Sequence, residues 1–530
     1  MVTLRENLIV LLAALIAFGG SIAAPFQFDD YAIFADPSLT SASGWLEVWS
    51  PLNTRPLTYF TFWLNFHFGG RSPWSYHAFN LAIHFACCML LLDVLSRLLP
   101  RRTAFIATLL FAVHPLQSEA VIYIFARSSM LATLFCLVAF RCWLMSERWL
   151  AVLWFVPALL AKEECVAFPL FLALLQAQRL PWKPIAAMCG LSFAAGLRVI
   201  AATKAITGAG SGFGAGITPI DYLAAQGVVI LRYLRLFIVP WGFSVDPEID
   251  RSFDWLAWIL LLALIAIAWR GRHGAWFLGA LVLLAPSSSI FPAADLSADR
   301  RMYLPMIALC ACAAIMISAL CRADSLVRAG PLWRKSWKRI GPAQANEEAD
   351  GGVGSGPTAL STLAPGGPPY FVVVILAVVS ITRVAVWNSE ESLWTEALKH
   401  APQKVRPRLM LARAVVPTQA MELLVEAKAI EPENSAVYAE IGRIYLQSGS
   451  YVDALAAFGK ALALKPGDAR SLNNRGVALK AMGQDDSARA DFESALIADP
   501  CQFDSRINLK RFDSPANCRY SDDQRKAMGR

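Results

Sequence analysis

YAEIGRIYLQSG, residues 438–449, is followed by YVDALAAFGKALALKP, residues 451–466, and LNNRGVALKAMGQDDSARADFESALIADP, residues 472–500, restates that pair. Pro432, Pro466 and Pro500 stand 34 residues apart. So do Gly442 and Gly476, Gly449 and Gly483, Ala454 and Ala488, and Phe458 and Phe492. Small residues at fixed places let two helices cross closely, and a proline past the second helix stops it at a turn. The pattern predicts helix pairs that bury their apolar faces by stacking on their neighbours, an α-solenoid.

Thirty-four residues is the tetratricopeptide period. Two clear units are few for an array to stand alone, so the degenerate stretch Glu391 to Glu431 is expected to supply one or two more. WNSEESLWTEALKHAP, residues 387–402, reads as the second helix of such a unit, and Ile430, Glu431 and Pro432 end the next. A helix over about 502–512 is expected to cap the array. An array of this kind is a binding surface or a packing module. Here it either holds an extended protein or forms a lid on what precedes it.

What precedes it is apolar. Of the 530 residues 56% are hydrophobic and 17% charged, against about 25% charged in an average soluble chain. This excludes a chain disordered throughout, a collagen and a long charged coiled coil, and favours a polytopic membrane protein. Leu8 to Ala24 reads as an uncleaved first span, since no convincing cleavage site follows it. Further apolar runs lie near 76–98, 103–118, 120–141, 148–161, 164–179, 183–202, 254–269, 275–291, 303–321 and 369–386, with about 20 residues needed to cross. The net charge of +8 suits topology better than nucleic acid. Arg97, Arg101 and Arg102, then Arg141 and Arg148, Arg179 and Lys183, Arg270, Arg272 and His273, and the group Arg322, Arg328, Arg334, Lys335, Lys338 and Arg339 mark cytoplasmic turns. They share one side if 222–240, which carries Arg232 and Arg235, is interfacial or re-entrant. The expectation is eleven crossings, a cytoplasmic N-terminus and an external C-terminus. The core then covers 1–321, with an external loop at 25–75. A flexible cytoplasmic linker covers 322–368, the last span 369–386 and an external repeat domain 387–530. Nine of the eleven cysteines sit in or beside apolar runs and read mainly as small buried hydrophobes. Cys501 and Cys518, the pair outside that region, are left open to bonding each other.

Several polar residues interrupt the apolar runs at the external boundary. Asp29 and Asp30 follow the first span directly. Carboxylates there must be hydrated, paired or used. One can act as a general base toward a hydroxyl, the other can orient it, and a wet turn is the plain alternative. Arg55 in the first loop can hold a phosphate through its fork, pair with Asp29 or Asp30, or meet lipid. His114, Glu119 and Arg127 lie between two runs. Glu119, Tyr123 and Arg127 recur every four residues, which predicts one helix face. An Arg at this depth needs an anion or a partner on another helix. Glu163 and Glu164, beside Lys162, are candidates to bind a divalent metal, or a diphosphate through it, or form a wet corner. Asp295, Asp299, Arg300 and Arg301 precede Tyr303. Two arginines on the side poor in cations suggest anion binding, with salt bridges to Asp299 or Asp295 as the alternative.

Together these stretches resemble a known family. FDDYAIFADP (28–37), NTRPLTYFTFWLNFHFGG (53–70), PWSYHAFNLAIHF (73–85), LLFAVHPLQSEAVIYIFARSSMLATLF (109–135), ADRRMYLP (298–305) and RVAVWNSEESLWTEALKHAP (383–402) are similar, in order and content, to the transmembrane and tetratricopeptide-repeat protein O-mannosyltransferases and their bacterial relatives. The resemblance implies a GT-C glycosyltransferase fold, all-α and polytopic, ending in the tetratricopeptide-repeat solenoid. It implies a polyprenyl-phosphate-linked sugar as donor, action on the non-cytoplasmic side, and inversion at the anomeric carbon. It places the catalytic base at Asp29 or Asp30. The family's HP-x-x-x-E-A-V and GR elements fall on His114, Pro115, Glu119, Ala120, Val121 and Arg127, with Ala126 where Gly is usual. Its AER-x-x-YLP element falls on Ala298, Asp299, Arg300, Tyr303, Leu304 and Pro305, with Asp299 where Glu is usual. Arg300, Arg301, Arg127 or Arg55 would then stabilise the leaving lipid phosphate.

The leading expectation is a bacterial inner-membrane enzyme modifying an exported protein held by the repeats. The short array and compact first loop favour a bacterium. No cofactor is assigned; a monophosphate donor does not demand a divalent metal, and Glu163 and Glu164 leave one possible. Sugar transfer to an envelope glycan or lipid is the near alternative. A tethered scaffold without catalysis and a transporter are the distant ones.

Overall fold

The computed structural model describes residues 2–50, 53–176, 180–205, 217–271, 273–289, 291–293, 295–328 and 368–511, with 518, 524 and 527. Most of the expected linker lies outside these, as do Arg179, Arg272, Arg334, Lys335, Lys338 and Arg339. The described chain is all-α.

Each apolar run of the first 386 residues carries a helix, but the helices differ in reach. Leu4–Ala23, Pro73–Ser96, Ile124–Leu144 and Trp182–Ala202 have the length and hydropathy to cross a bilayer. Two bent pairs, Arg101–Val113 with Pro115–Ile122 and Tyr370–Val386 with Glu390–His400, bring the total to six among the described residues. Eleven crossings were expected. Arg148–Ala161, Gly274–Ser287 and Met306–Leu320 are shorter apolar helices. At about 1.5 Å per residue the first two fall short of a hydrocarbon core of about 30 Å, whereas the third is the apolar part of a longer helix, Met306–Arg328. Polar breaks cut the runs: the 103–118 run ends its straight helix at Val113, before His114 and Pro115, and Lys162 ends the helix Arg148–Ala161. The stretch 222–240 forms one helix, Pro219–Ile238, outside the span-like group.

Ion pairs gather the basic turns at one end. Glu6 in the first helix meets Arg101 at 2.7 Å, and Asp93 at the foot of Pro73–Ser96 takes both Arg97 and Arg141 at 3.0 Å. The other end carries the turn after the first helix and the 25–75 loop. That loop folds as the short helices Phe28–Tyr31, Ala32–Ala35, Pro37–Thr40 and Gly44–Glu47, then Pro56–Gly69.

The C-terminal helices pair as the 34-residue register demands: Ser435–Gln447 with Tyr451–Leu464, and Ala469–Ala481 with Asp485–Ala498. A Cβ on Gly442 would sit 2.7 Å from the Phe458 ring, and one on Gly476 2.7 Å from Phe492. The repeated glycine is therefore the seat of the repeated phenylalanine. Gly449 and Gly483 turn the chain at φ 78° and 77°, where only glycine is unstrained. The degenerate stretch gives Val405–Ala414 with Pro417–Ile430, led by Glu390–His400, and Phe503–Asn508 closes the array. Cys501 and Cys518 are bonded.

Candidate active site

The acidic pair sits on a 3-10 turn, Phe28–Tyr31, and its two members have different surroundings. Asp30 is 1% exposed. Its Oδ2 accepts from the Gln27 amide at 3.0 Å and its Oδ1 from the Phe125 amide at 2.8 Å. Burial pushes its carboxyl up to about 7, against the pull of those amides, and the neighbouring Asp29 charge adds to the rise. Asp29 is exposed. It accepts from the Tyr123 hydroxyl at 2.9 Å. Asp30 fastens the turn, and Asp29 is the carboxylate left within reach of a reactant.

The hold of Asp30 on Phe125 also accounts for a correction. Glu119, Tyr123 and Arg127 do not share a helix face. Ser118–Ile122 stops at Tyr123, whose backbone is extended (φ −68°, ψ 114°), and a 3-10 turn, Ile124–Ala126, precedes the helix Arg127–Leu144. This break frees the Phe125 amide for Asp30 and brings the Tyr123 hydroxyl to Asp29.

A cavity of about 480 Å³ gathers other candidates, with neither Asp29 nor Asp30 in its lining. Arg55, Lys162, Arg300 and Arg301 line it, with Glu163, Glu164 and Asp295, and Val166, Val199, Ile200 and Phe291 among its apolar walls. Three of the four cations are paired. Arg55 takes neither Asp29 nor Asp30 but grips Glu163 with two bonds, Nε–Oε2 at 3.1 Å and Nη2–Oε1 at 2.5 Å. Burial works against the Glu163 carboxylate, and Arg55 overrides it, holding the group down to about 2. Lys162 lies 2.7 Å from Glu164 and donates to Ser129 at 2.8 Å. Burial lowers its pKa to about 8, with Glu164 opposing. Arg300 pairs with Glu119, whose Oε2 also takes the Arg300 amide at 3.1 Å, and lies 3.6 Å from Asp295.

Arg301 differs. Its guanidinium donates to the Tyr222 hydroxyl and the Leu296 carbonyl, both at 3.1 Å, and to the Asp295 carbonyl at 2.7 Å. Among the described residues it is the cavity cation with no carboxylate at ion-pair distance. Neutral oxygens aim it, and the Glu164 carboxylate acts on its charge from beyond ion-pair distance. Tyr123 connects cavity and turn, because the Arg300 guanidinium lies 5.8 Å from the centre of the ring whose hydroxyl holds Asp29.

Other candidates lie elsewhere. Arg127, 0% exposed, is outside the cavity lining. It bonds Asn80 Oδ1 at 2.7 Å, Thr61 at 3.3 Å and the Tyr76 carbonyl at 3.1 Å, between the Phe62 and Phe79 rings. Neutral dipoles and ring faces replace the anion expected there. His114 Nδ1 accepts from the Leu116 amide, so Nε2 carries the proton and donates to the Phe237 carbonyl at 3.0 Å. Asp299 pairs with Arg232 at 2.6 Å, not with Arg300 or Arg301. The Tyr303 hydroxyl meets His84 at 2.7 Å deep in the helical core. Glu163 and Glu164 are each held by a cation, and among the described residues no three His, Cys, Asp or Glu side chains converge as metal ligands do.

The repeat domain reaches this end of the core. Lys404 bonds Asp246 at 2.6 Å, and Arg406 meets Asp295 at 2.9 Å on the carboxylate that also faces Arg300. Sequence reading missed Tyr123 as the partner of Asp29, and Arg406. Neither has a local signal, since each acts across at least 94 residues of chain.

A family model described as "TPR repeat" matches residues 442–483, and one described as "Tetratricopeptide repeat" matches 469–500. The human protein O-mannosyl-transferase TMTC3 is 25% identical over 385 residues, 58% of this chain and 42% of that protein. The Xenopus laevis protein O-mannosyl-transferase tmtc2 is 27% identical over 318 residues, 52% of this chain and 38% of that protein. Among solved structures, the crystal structure of MamA is 20% identical, with a TM-score of 0.21, over 23% of this chain and 72% of that one. The chain thus spans less than half the length of the curated relatives named here. A match over 58% of it cannot be confined to a repeat domain that begins near residue 387. Beyond its repeats, the chain is thus similar, at 25–27% identity, to the transmembrane and tetratricopeptide-repeat protein O-mannosyl-transferases.

Proposed function

We propose that the protein is a membrane glycosyltransferase of the GT-C type, moving a sugar from a polyprenyl-phosphate donor to a hydroxyl of an exported protein on the non-cytoplasmic side of a bacterial inner membrane. The observation that carries this reading is the cavity: neutral oxygens hold Arg301 there, and Arg300 and Tyr123 join it to the accessible Asp29. Asp29 takes the proton of the acceptor hydroxyl. That oxygen attacks the anomeric carbon from the face opposite the phosphate. The bond from carbon to phosphate oxygen breaks, and the lipid phosphate leaves already charged. It needs a cation and no proton, which Arg301 supplies. The products are the inverted glycoside, the polyprenyl phosphate and the proton on Asp29. No step requires a metal.

The repeats suit an extended protein acceptor, and the relatives' names point the same way. Topology has two supports. Basic turns gather at the end opposite Asp29, as cytoplasmic turns do. The repeat domain carries a disulfide, which belongs to an oxidising compartment.

The test is purified protein in nanodiscs with undecaprenyl-phosphate mannose and other lipid-phosphate sugars, and an envelope extract as acceptor, read by mass spectrometry. Wild type should glycosylate a protein. Asp29→Asn should slow transfer by about 100-fold or more. Arg301→Gln should raise the donor KM by about tenfold or more, the loss of a charge-assisted contact. No transfer from any donor sinks the reading. Transfer to glycan or lipid alone keeps the enzyme and replaces its acceptor.

A further inference from the structure

The turn bearing Asp29 is braced by the far end of the chain. Phe28 adopts φ 47°, a left-handed conformation costing a non-glycine residue about 1 kcal/mol or more. It persists only where the surroundings over-determine it. Those surroundings are aromatic. The Phe28 ring meets Tyr123, Trp387 and Trp394 edge to face, with centroids at 5.7, 6.1 and 5.2 Å, the arrangement that aromatic rings prefer. Trp387 stacks on Tyr123 at 6.1 Å, the residue whose hydroxyl holds Asp29. The Trp387 carbonyl accepts from Gln27 Nε2 at 3.3 Å, across 360 residues of sequence. Both tryptophans are buried. Trp387 follows the last membrane helix, Pro368–Val386, and Trp394 lies in Glu390–His400, the helix that leads the repeats.

We propose that Trp387 and Trp394 are positioning residues for Asp29: they clamp Phe28 in its left-handed conformation and so aim the carboxylate that follows it. The role in catalysis rests on reading Asp29 as the base. The clamping does not. The first repeat helix is on this view a wall of the active site, and the repeats cannot move away from the core without releasing the base.

Hydrogen–deuterium exchange on the full chain in nanodiscs tests the clamp without any donor. The Asp30 amide donates to the Gln27 carbonyl at 2.9 Å, so peptides across 26–31 report the turn. Trp394→Leu should speed exchange there at least tenfold and leave the helices Ser435–Gln447 to Asp485–Ala498 unchanged. Trp394→Phe, which restores a ring edge, should return exchange to the wild-type rate. Trp387→Phe should also match wild type, because Trp387 Nε1 is buried with no partner to lose. Unchanged exchange in Trp394→Leu overturns the proposal, and so does opening that spreads over 387–414 as a whole. Should Trp394→Leu not fold, Phe28→Gly decides. Glycine takes φ 47° freely, so this variant removes the anchored ring and leaves the clamp, and the turn should exchange faster. No change overturns the proposal.

Transfer rates give the catalytic half. Trp394→Leu should lower kcat about tenfold with donor KM unchanged. In the Phe28→Gly background it should add nothing, since both act through one contact. Effects that multiply overturn the proposal. A wild type that transfers no sugar sinks the glycosyltransferase reading instead, and the exchange data then decide the clamp alone.

Discussion

Asp29 and Asp30 are neighbours with opposite tasks, and pH separates them. The Asp30 carboxyl, raised by burial to about 7 from an ordinary value of 3.8, holds its proton more tightly folded than unfolded. The stability this gives is complete below about pH 4 and is lost as pH rises through 7. Asp30→Asn should abolish that decline between pH 4 and 7. It should also cost about 1–3 kcal/mol near neutrality, because an amide nitrogen would face the Gln27 or Phe125 N–H that an oxygen now accepts. Thermal unfolding in detergent from pH 4 to 8 reads both effects. A variant whose stability still falls like the wild type's would show that another group carries the dependence. Sequence alone identified the pair and its place after the first helix, but it could not divide the roles. That division depends on Phe125 and Tyr123, which reach the turn from about 95 residues away. The arginines teach the same lesson. Arg55, Arg127, Arg300 and Arg301 are all candidates for a phosphate in the sequence, and what separates them is whether they reach the cavity and whether their partners there are carboxylates, as for Arg55 and Arg300, or neutral oxygens, as for Arg301.

The repeats were legible because their register is written in residue types that packing demands at each turn of the array. Gly476 seats Phe492 as Gly442 seats Phe458. Gly476→Ala should therefore overpack the crossing and destabilise the repeat domain by about 1–3 kcal/mol. Gly459, in the helix Tyr451–Leu464, would place a Cβ in open space. Gly459→Ala should raise stability, by about 0.5–1 kcal/mol, since alanine is the better helix former. Denaturant titration of the full chain, followed at the repeat helices by exchange, gives both signs, and matching signs would refute the packing argument. The membrane helices were less legible in extent than in place. Hydropathy located every apolar helix, but it does not see a backbone break such as the one at Tyr123, where a carboxylate from another segment competes for the amide. A four-residue spacing that promised one helix face became two helices and a turn.

The two ends of the molecule differ in the chemistry they can bear, and this carries the last expectation. One end gathers Glu6, Asp93, Arg97, Arg101 and Arg141. The other holds Asp29, the cavity and the repeat domain, joined to the core by Arg406–Asp295, Lys404–Asp246 and the aromatic clamp. Eight cysteines of the membrane region are free and buried or half-buried, whereas Cys501 and Cys518 in the repeat domain are bonded. Such a bond persists where thiols are oxidised and is rare where they are kept reduced. If the basic end is cytoplasmic, the base, the cavity and the disulfide all lie on the outside, where a polyprenyl-phosphate sugar presents its head and exported chains emerge. Acid trapping of cells followed by alkylation should leave Cys501 and Cys518 unmodified until a reductant is added. After reduction, an impermeant maleimide should reach them in intact cells. A thiol introduced by Arg102→Cys, at an exposed site of the basic end, should react only after permeabilisation. The reverse order of labelling would turn Asp29 toward the cytoplasm, and the proposed donor, acceptor and compartment would fall together.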